Sequence, residues 1–318
     1  MNHIETIQYL ANINSHSLIP KRDEDINKNI PYFSIRKNDV GRYILEGFAY
    51  EGHDNEPRMS YWLNYLHVSV LPHVSRNIDI TGFYNIELHD SYTYLNNGKD
   101  YKGVLSFAKF KDDNNGVLIP DPYMIGNYGN SLQFTDPSTF QSKISKACFY
   151  GTTTGNRNPI LNERIKTCIW SLDQREKCDF YITKVAQMEM KDVVKCVPRF
   201  NEIYSSPVTM QHQLGYKYNT ILDGNTCRYD VWSLKSNSLN LKFPSKEMLW
   251  YYPVLQNNTH YVHVNTASII DTMNFYNNNP THAARITQNA QDFVSTYLKS
   301  INHQMYTKYL FEAAVENK

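Results

Sequence analysis

The sequence predicts an α/β protein in which helices cover a parallel sheet. Three observations lead there. From residue 147 onward, short apolar runs (ACFY, CDFYITKV, YKYNTIL, LNLKF, HYVHV) alternate with segments of helical pattern. Two of those runs end in glycine-containing turns placed just before a helical segment, where parallel sheets present ligand sites at the carboxyl ends of their strands. Toward the C-terminus, Ile286, Ala290, Phe293, Tyr297, Ile301 and Met305 recur at the spacing of one long amphipathic helix.

In order along the chain, Ile4, Ile7 and Leu10 give a short helical pattern, followed by the charged loop SLIPKRDEDINKNIP. GRYILEGFAYEG has strand composition and RMSYWLNYLHVSVLPHV a helical one. A second strand, GFYNIEL, runs into His89-Asp90-Ser91, and residues 96–130 are rich in Asn, Gly and Asp around VLSFAKF. ACFY then suits a buried strand, and Asn158-Pro159 predicts the start of the helix NPILNERIKTCIW with the stripe Leu161, Ile165 and Ile169. CDFYITKV precedes a polar and helical stretch, YKYNTIL precedes the helix TCRYDVWSLKSNS, and LNLKF, KEMLWYYPVL, HYVHV and ASIIDTMNFY follow. The expected domains are 1–140 and 141–280, with the helix 281–318 packing back on the first.

Composition narrows the partners. With 32 basic and 31 acidic residues no global field draws the chain to nucleic acid, so none is expected as partner. No apolar run approaches membrane-spanning length, and MNHIETIQYLANINSH lacks the basic start and apolar core of a signal peptide. The expected compartment is cytoplasmic. The five cysteines, at 148, 168, 178, 196 and 227, form no CxxC and read as reduced thiols.

The stretch CFYGTTTGNRNP carries the first candidate site. Gly151 allows an exit from the strand, and a helix start after a small-residue loop gathers anions through unsatisfied N–H groups. Thr152 and Thr154 add hydroxyls, Gly155 keeps the loop small, and Arg157 can form a fork with two phosphate oxygens. The alternative is a plain strand-to-helix connection; the stretch is neither a P-loop nor G-x-G-x-x-G. A second place of the same design puts Asp223-Gly224 at a strand end and Arg228 in the next helical turn, so that two arginines could clamp one diphosphate. There the alternative is a capping Asp223 and a snorkelling Arg228. Asp90 is a general base, a turn former or a cap. Ser236 and Ser238 either hydrogen-bond a nucleotide or cap a helix.

Other constellations offer less. Asp23-Glu24-Asp25 has the D-x-D pattern but no preceding apolar strand, and Asp112 to Gly116 lacks the Glu that would complete a calcium loop, so both read as turns. His260 and His263 lie three apart and face opposite sides of a strand; of the two, His260 is expected to touch substrate and His263 to be structural. Neither H-E-x-x-H nor G-x-S-x-G occurs.

Assembled, these residues resemble the CAP10-like glycosyltransferases of family 90, the Rumi-type protein O-glucosyl/xylosyltransferases. Phe149 to Gly155 with Arg157 is similar to the family's F-R-G-S-x-T-G…R loop, Leu222-Asp223-Gly224 with Arg228 to its D-G…R segment, and Leu234 to Lys242 to L-x-S-N-S-x-x-x-K. Trp250-Tyr251-Tyr252 and His260 to Val264 look like W-Y-Y and H-Y-V-P-V, and Ile86 to Ser91 like the strand ending in the catalytic aspartate, here Asp90. Tyr150 stands where the family has Arg, His263 where it has Pro, and Leu249 at a position often acidic. The resemblance implies a GT-B architecture of two Rossmann-like domains facing across a cleft. It also implies inverting transfer of glucose or xylose from a UDP-sugar to a glycan or protein hydroxyl, with Asp90 as base and without cofactor or metal. Tyr150 and Leu249 keep a second reading open, a catalytically silent sugar-nucleotide or glycan-binding protein on the same fold.

Overall fold

A computed structural model of the chain describes residues 2–48, 56–88, 102–121, 134–224 and 229–316. The chain divides into two compact units. The first is Met1–Ser131 with Glu247–Val254 and Thr296–Lys318, and the second is Leu132–Lys246 with Leu255–Ser295. The expected boundary at 140/141 thus lies nine residues past the observed 131/132, and two later stretches return to the first unit.

In the first unit, α1 (His3–Ser15) is started by a capping box. Asn2 Oδ1 accepts from Glu5 N at 3.0 Å while Glu5 Oε2 accepts from Asn2 N at 2.9 Å. Its buried face holds Ile7, Leu10 and Ala11. The strands β1 (Tyr32–Lys37) and β2 (Tyr43–Phe48), the helix α2 (Glu56–Tyr65) and the strand β3 (Gly82–Asn85) follow. The sheet runs β2-β1-β3, antiparallel throughout, with Tyr32 opposite both Phe48 and Asn85. β1 is absent from the sequence reading because only Phe33 to Ile35 are buried and Arg36 and Lys37 merge into a charged surround. Short strands β4 (Leu105–Ser106), β5 (Lys109–Phe110) and β6 (Val117–Leu118) complete the first stretch.

The second unit carries the parallel sheet. Its strands are β7 (Ile144–Thr152), β8 (Cys178–Lys184), β9 (Tyr216–Ile221) and β10 (Leu239–Lys242). The chain then gives β11 (Glu247–Met248), which pairs with β5 in the first unit, and β12 (Val262–His263) back in the second. The order is β12-β10-β9-β7-β8, every pair parallel. Phe149, Phe180, Ile182, Leu239 and Leu241 bury against Ile165 and Cys168 of α3 (Glu163–Ser171). The helix α4 (Tyr229–Lys235) links β9 to β10. Ile269 and Met273 of α5 (Ile269–Asn278) join the same core. β10 is buried along its whole length and β9 nearly so, whereas β8 alternates buried and half-buried residues, and both patterns are visible in the sequence.

The single long C-terminal helix is two helices, α6 (Pro280–Tyr297) and α7 (Ser300–Glu316). α6 buries Ala283, Ile286, Ala290 and Phe293, whereas α7 buries His303, Tyr306, Leu310 and Phe311 and leaves Ile301 55 % exposed. The two stripes serve different cores, so no uninterrupted helix could present both. α7 packs along α1.

Candidate active site

The carboxyl edge of the parallel sheet is where the sequence motifs meet. β7 ends in Gly151-Thr152, and β9 ends at Ile221 just before Leu222-Asp223-Gly224. The two loops lie side by side: a Cβ added at Gly155 would sit 3.5 Å from the Gly224 carbonyl oxygen. Gly155 has φ +111°, a conformation glycine tolerates and other residues rarely adopt. Gly151 serves differently from the expected tight exit. It belongs to the strand, and a Cβ there would lie 2.5 Å from the Phe149 ring, so its missing side chain is a packing requirement.

The helix after this loop begins later than predicted. Asn158 closes a turn by accepting from Ile160 N at 3.0 Å, Ile160 and Leu161 stay exposed, and α3 starts at Glu163 with Asn162 as its cap, accepting from Ile165 N at 3.1 Å. Asn162 is buried because its amide also donates to Thr153 O at 2.9 Å and Asn156 O at 2.8 Å. An Asn-Pro pair signals a start; here a second Asn one turn on outcompetes it through these extra bonds.

Arg164, the second residue of α3, ties the site together and is the residue that motif reading missed. It is 8 % exposed. Its Nε donates to Asp223 O at 2.9 Å, Nη2 to Leu222 O at 2.9 Å, and Nη1 to Thr152 O at 3.1 Å and Thr154 Oγ1 at 2.8 Å. The guanidinium also lies over the Phe149 ring at 5.6 Å. One side chain therefore fixes both strand-end loops. Gly224 must be glycine for the same reason: a Cβ would come within 2.5 Å of Arg164 Nη2 and of Thr154 Oγ1. A third loop joins through Thr153, which accepts from Ala186 N at 2.8 Å and donates to Ala186 O at 2.9 Å.

Several N–H groups of the expected cradle are already committed, two to the end of β8 and the loop after it and one within the loop itself. Thr153 N donates to Lys184 O at 3.1 Å, Gly155 N to Gln187 Oε1 at 3.4 Å and Asn158 N to Asn156 Oδ1 at 2.9 Å. What faces outward instead is the pair of half-exposed threonines 152 and 154, 3.2 Å apart through their hydroxyls, with exposed Arg157 and Lys184. Lys184 pairs in register with Thr152. Asp223 directs its carboxylate to Lys246 N at 3.2 Å, the behaviour of a loop anchor.

Ser236 and Ser238 are not brought to this edge. Both are fully buried at the amino edge of the sheet. Ser238 Oγ donates to Tyr216 O at 2.7 Å, at the start of β9, and Ser236 Oγ donates to Ser233 O at 2.7 Å. The intervening Asn237 bonds Asp136 and Ser138, and Gln291 donates to it. A parallel sheet places the start of β10 at the end opposite its ligand edge, so their assignment to nucleotide binding is corrected to a structural knot. Lys242, at the other end of β10, is buried at the carboxyl edge beside Ile221.

The two histidines differ in their surroundings. His260 accepts from Gln256 N at 2.9 Å through Nδ1, rests 5.0 Å from the Phe293 ring and has its pKa lowered by burial, whereas His263 is exposed at the end of β12. Tyr150, at the family's Arg position, stacks on Tyr181 at 5.5 Å and meets the hydroxyl of Tyr216 at 3.3 Å, so it fills the sheet face as an aromatic. Cys148, Cys168 and Cys178 are free and buried, with thiol pKa values raised by burial, and Cys196 is free and exposed. Asp23 to Asp25 form an exposed 3-10 turn, and Asp113 caps its own turn at Asn115 N, 2.7 Å.

Asp90, Arg228 and Cys227 lie outside the described residues. The segment leading to Asp90 is described to Leu88, whose carbonyl accepts from Arg58 Nη1 at 2.6 Å. No described helix is long and apolar enough to cross a membrane.

Comparison with known proteins gives one family: Glycosyl transferase family 90 matches residues 135–314. No curated protein matches the sequence. Among solved structures, Anabaena HepE in complex with UDP-glucose is similar over 60 % of this chain and 56 % of its own, at 11 % identity and a TM-score of 0.37. TarM is similar over 87 % and 63 %, at 12 % identity and a TM-score of 0.41. The chain spans less than two thirds of either protein's length.

Proposed function

Because the chain belongs to glycosyl transferase family 90, we propose that it transfers a sugar from a UDP-sugar to a hydroxyl acceptor, with the diphosphate held at the carboxyl edge of the second unit's sheet. The observation that carries this reading is the adjacency of loops 152–155 and 222–224, bound to one buried arginine inside the matched segment. A departing UDP develops negative charge on its β-phosphate. Hydroxyls of Thr152 and Thr154 with the cations Arg157, Lys184 and Arg228 stabilise that charge electrostatically, the role a divalent ion fills in other transferases. Asp90 takes the proton from the acceptor hydroxyl as it attacks C1 from the face opposite UDP, which inverts the anomeric centre. Glucose and xylose are the proposed donors and a glycan or protein hydroxyl the acceptor.

The test is UDP release from UDP-glucose and UDP-xylose, each with and without EDTA. Asp90→Asn should lower release by about 10²–10⁴-fold while sparing UDP affinity, and Arg157→Ala should weaken UDP binding by roughly tenfold. Full release by Asp90→Asn would remove the base, EDTA-sensitive release would remove the metal-free mechanism, and no affinity for UDP would remove the donor reading.

A further inference from the structure

The donor reading leaves Arg164 behind the loop rather than on the ligand, and the following rests on that reading. Thr154 Oγ1 accepts from Arg164 Nη1 at 2.8 Å and lies 3.2 Å from Thr152 Oγ1. Neither threonine hydroxyl makes another hydrogen bond among the described residues. The pair owns two hydroxyl protons, and only one is used between them. A guanidinium is a donor only and keeps its proton, so it consumes a lone pair on Thr154 and neither hydroxyl proton. Drawing on that lone pair makes Thr154 the better donor of the two, because hydrogen bonds in a chain polarise one another. The proton order that results is Arg164 to Thr154 to Thr152, leaving the Thr152 hydroxyl proton facing the half-exposed edge.

We infer that Arg164 is a positioning residue that turns Thr152 and Thr154 into one polarised donor chain aimed at an anionic oxygen, so that this edge reads the diphosphate and not a sugar hydroxyl. Its bonds to Leu222 O and Asp223 O hold the guanidinium in place while it does so. The same charge-assisted end is worth little to a neutral group, which gains no attraction from the cation behind it.

The test titrates the full chain with UDP and, by competition, with uridine. Thr152→Val removes the terminal donor and should weaken UDP by about ten- to a hundredfold without changing uridine affinity. Thr154→Val should weaken UDP by itself, yet add nothing in a Thr152→Val background, because the chain is already cut. Thermal melts of both valine variants check that the fold is kept. Additive losses would mean two independent contacts and overturn the chain. Equal losses for UDP and uridine would mean a structural role and overturn the positioning of charge. If wild type binds uridine as well as UDP, the donor-chain inference fails while a nucleoside site stands; if it binds neither, the donor reading itself fails.

Discussion

His303 shows how much a single buried side chain sets by itself. It is fully enclosed, edge-on to Trp250 at 5.4 Å, and neither ring nitrogen has a hydrogen-bond partner among the described residues. Burial pushes its pKa from 6.5 down to about 4. The unfolded chain therefore takes up a proton there near pH 6.5 that the folded chain refuses until about pH 4, so this contribution is complete above pH 6.5 and is lost as pH falls toward 4. Over that window the loss is about 3 kcal/mol. Urea melts at pH 7 and pH 4.5 should show a smaller drop for His303→Leu than for wild type, and equal drops would place the acid sensitivity elsewhere. Gly224 is the counterpart in the second unit. Gly224→Ala should cost about 1–3 kcal/mol and weaken UDP binding, since Arg164 and Thr154 both meet the new methyl and are held by other bonds. A variant as stable and as tight as wild type would show that the loop yields freely.

At the scale of elements, the start of α3 decides whether the site exists. Asn162 caps the helix and bonds two loop carbonyls from a buried position. Asn162→Ala should lose more than the roughly 1 kcal/mol of an exposed cap, about 2–3 kcal/mol, because the carbonyls of Thr153 and Asn156 lose their donor. Denaturant midpoints measure this directly, and a loss below 1 kcal/mol would assign the loop's order to Arg164. This element also marks the limit of motif reading. Asn158-Pro159 has every local sign of a helix start, while the true cap carries only an ordinary Asn. The strand β1 was hidden for a related reason, since three buried residues bordered by charge leave no periodicity to detect. The strands of the parallel sheet were legible because each sets its buried residues either in a run, as β10 does, or in alternation, as Cys178, Phe180 and Ile182 do in β8.

For the whole molecule, the first unit depends on distant sequence. Tyr306 donates to Leu118 O at 2.7 Å, Glu312 accepts from Ser75 N at 2.7 Å, and Phe311 packs edge-on to Tyr84 at 5.1 Å. A chain ending at Ser295 should therefore lose hydrogen-exchange protection in β1 and β3 while β7 to β10 keep theirs, since the described residues of their core cluster all lie in the second unit. Loss of protection in both would refute the independence of the units.

The sequence by itself determined the α/β class, the strand-turn-helix order of the second unit and the motifs 149–155 and 222–224, because these depend on local pattern and on glycines with no substitute. Only the tertiary structure decided that Ser236 and Ser238 stand at the wrong end of the sheet, that the C-terminal stripe divides between two cores, and that Arg164 joins the two loops. Those facts depend on which edge of the sheet a residue reaches and on carbonyls 58 and 59 positions away in the chain. Spacing along a sequence carries no record of such distances until the chain has folded.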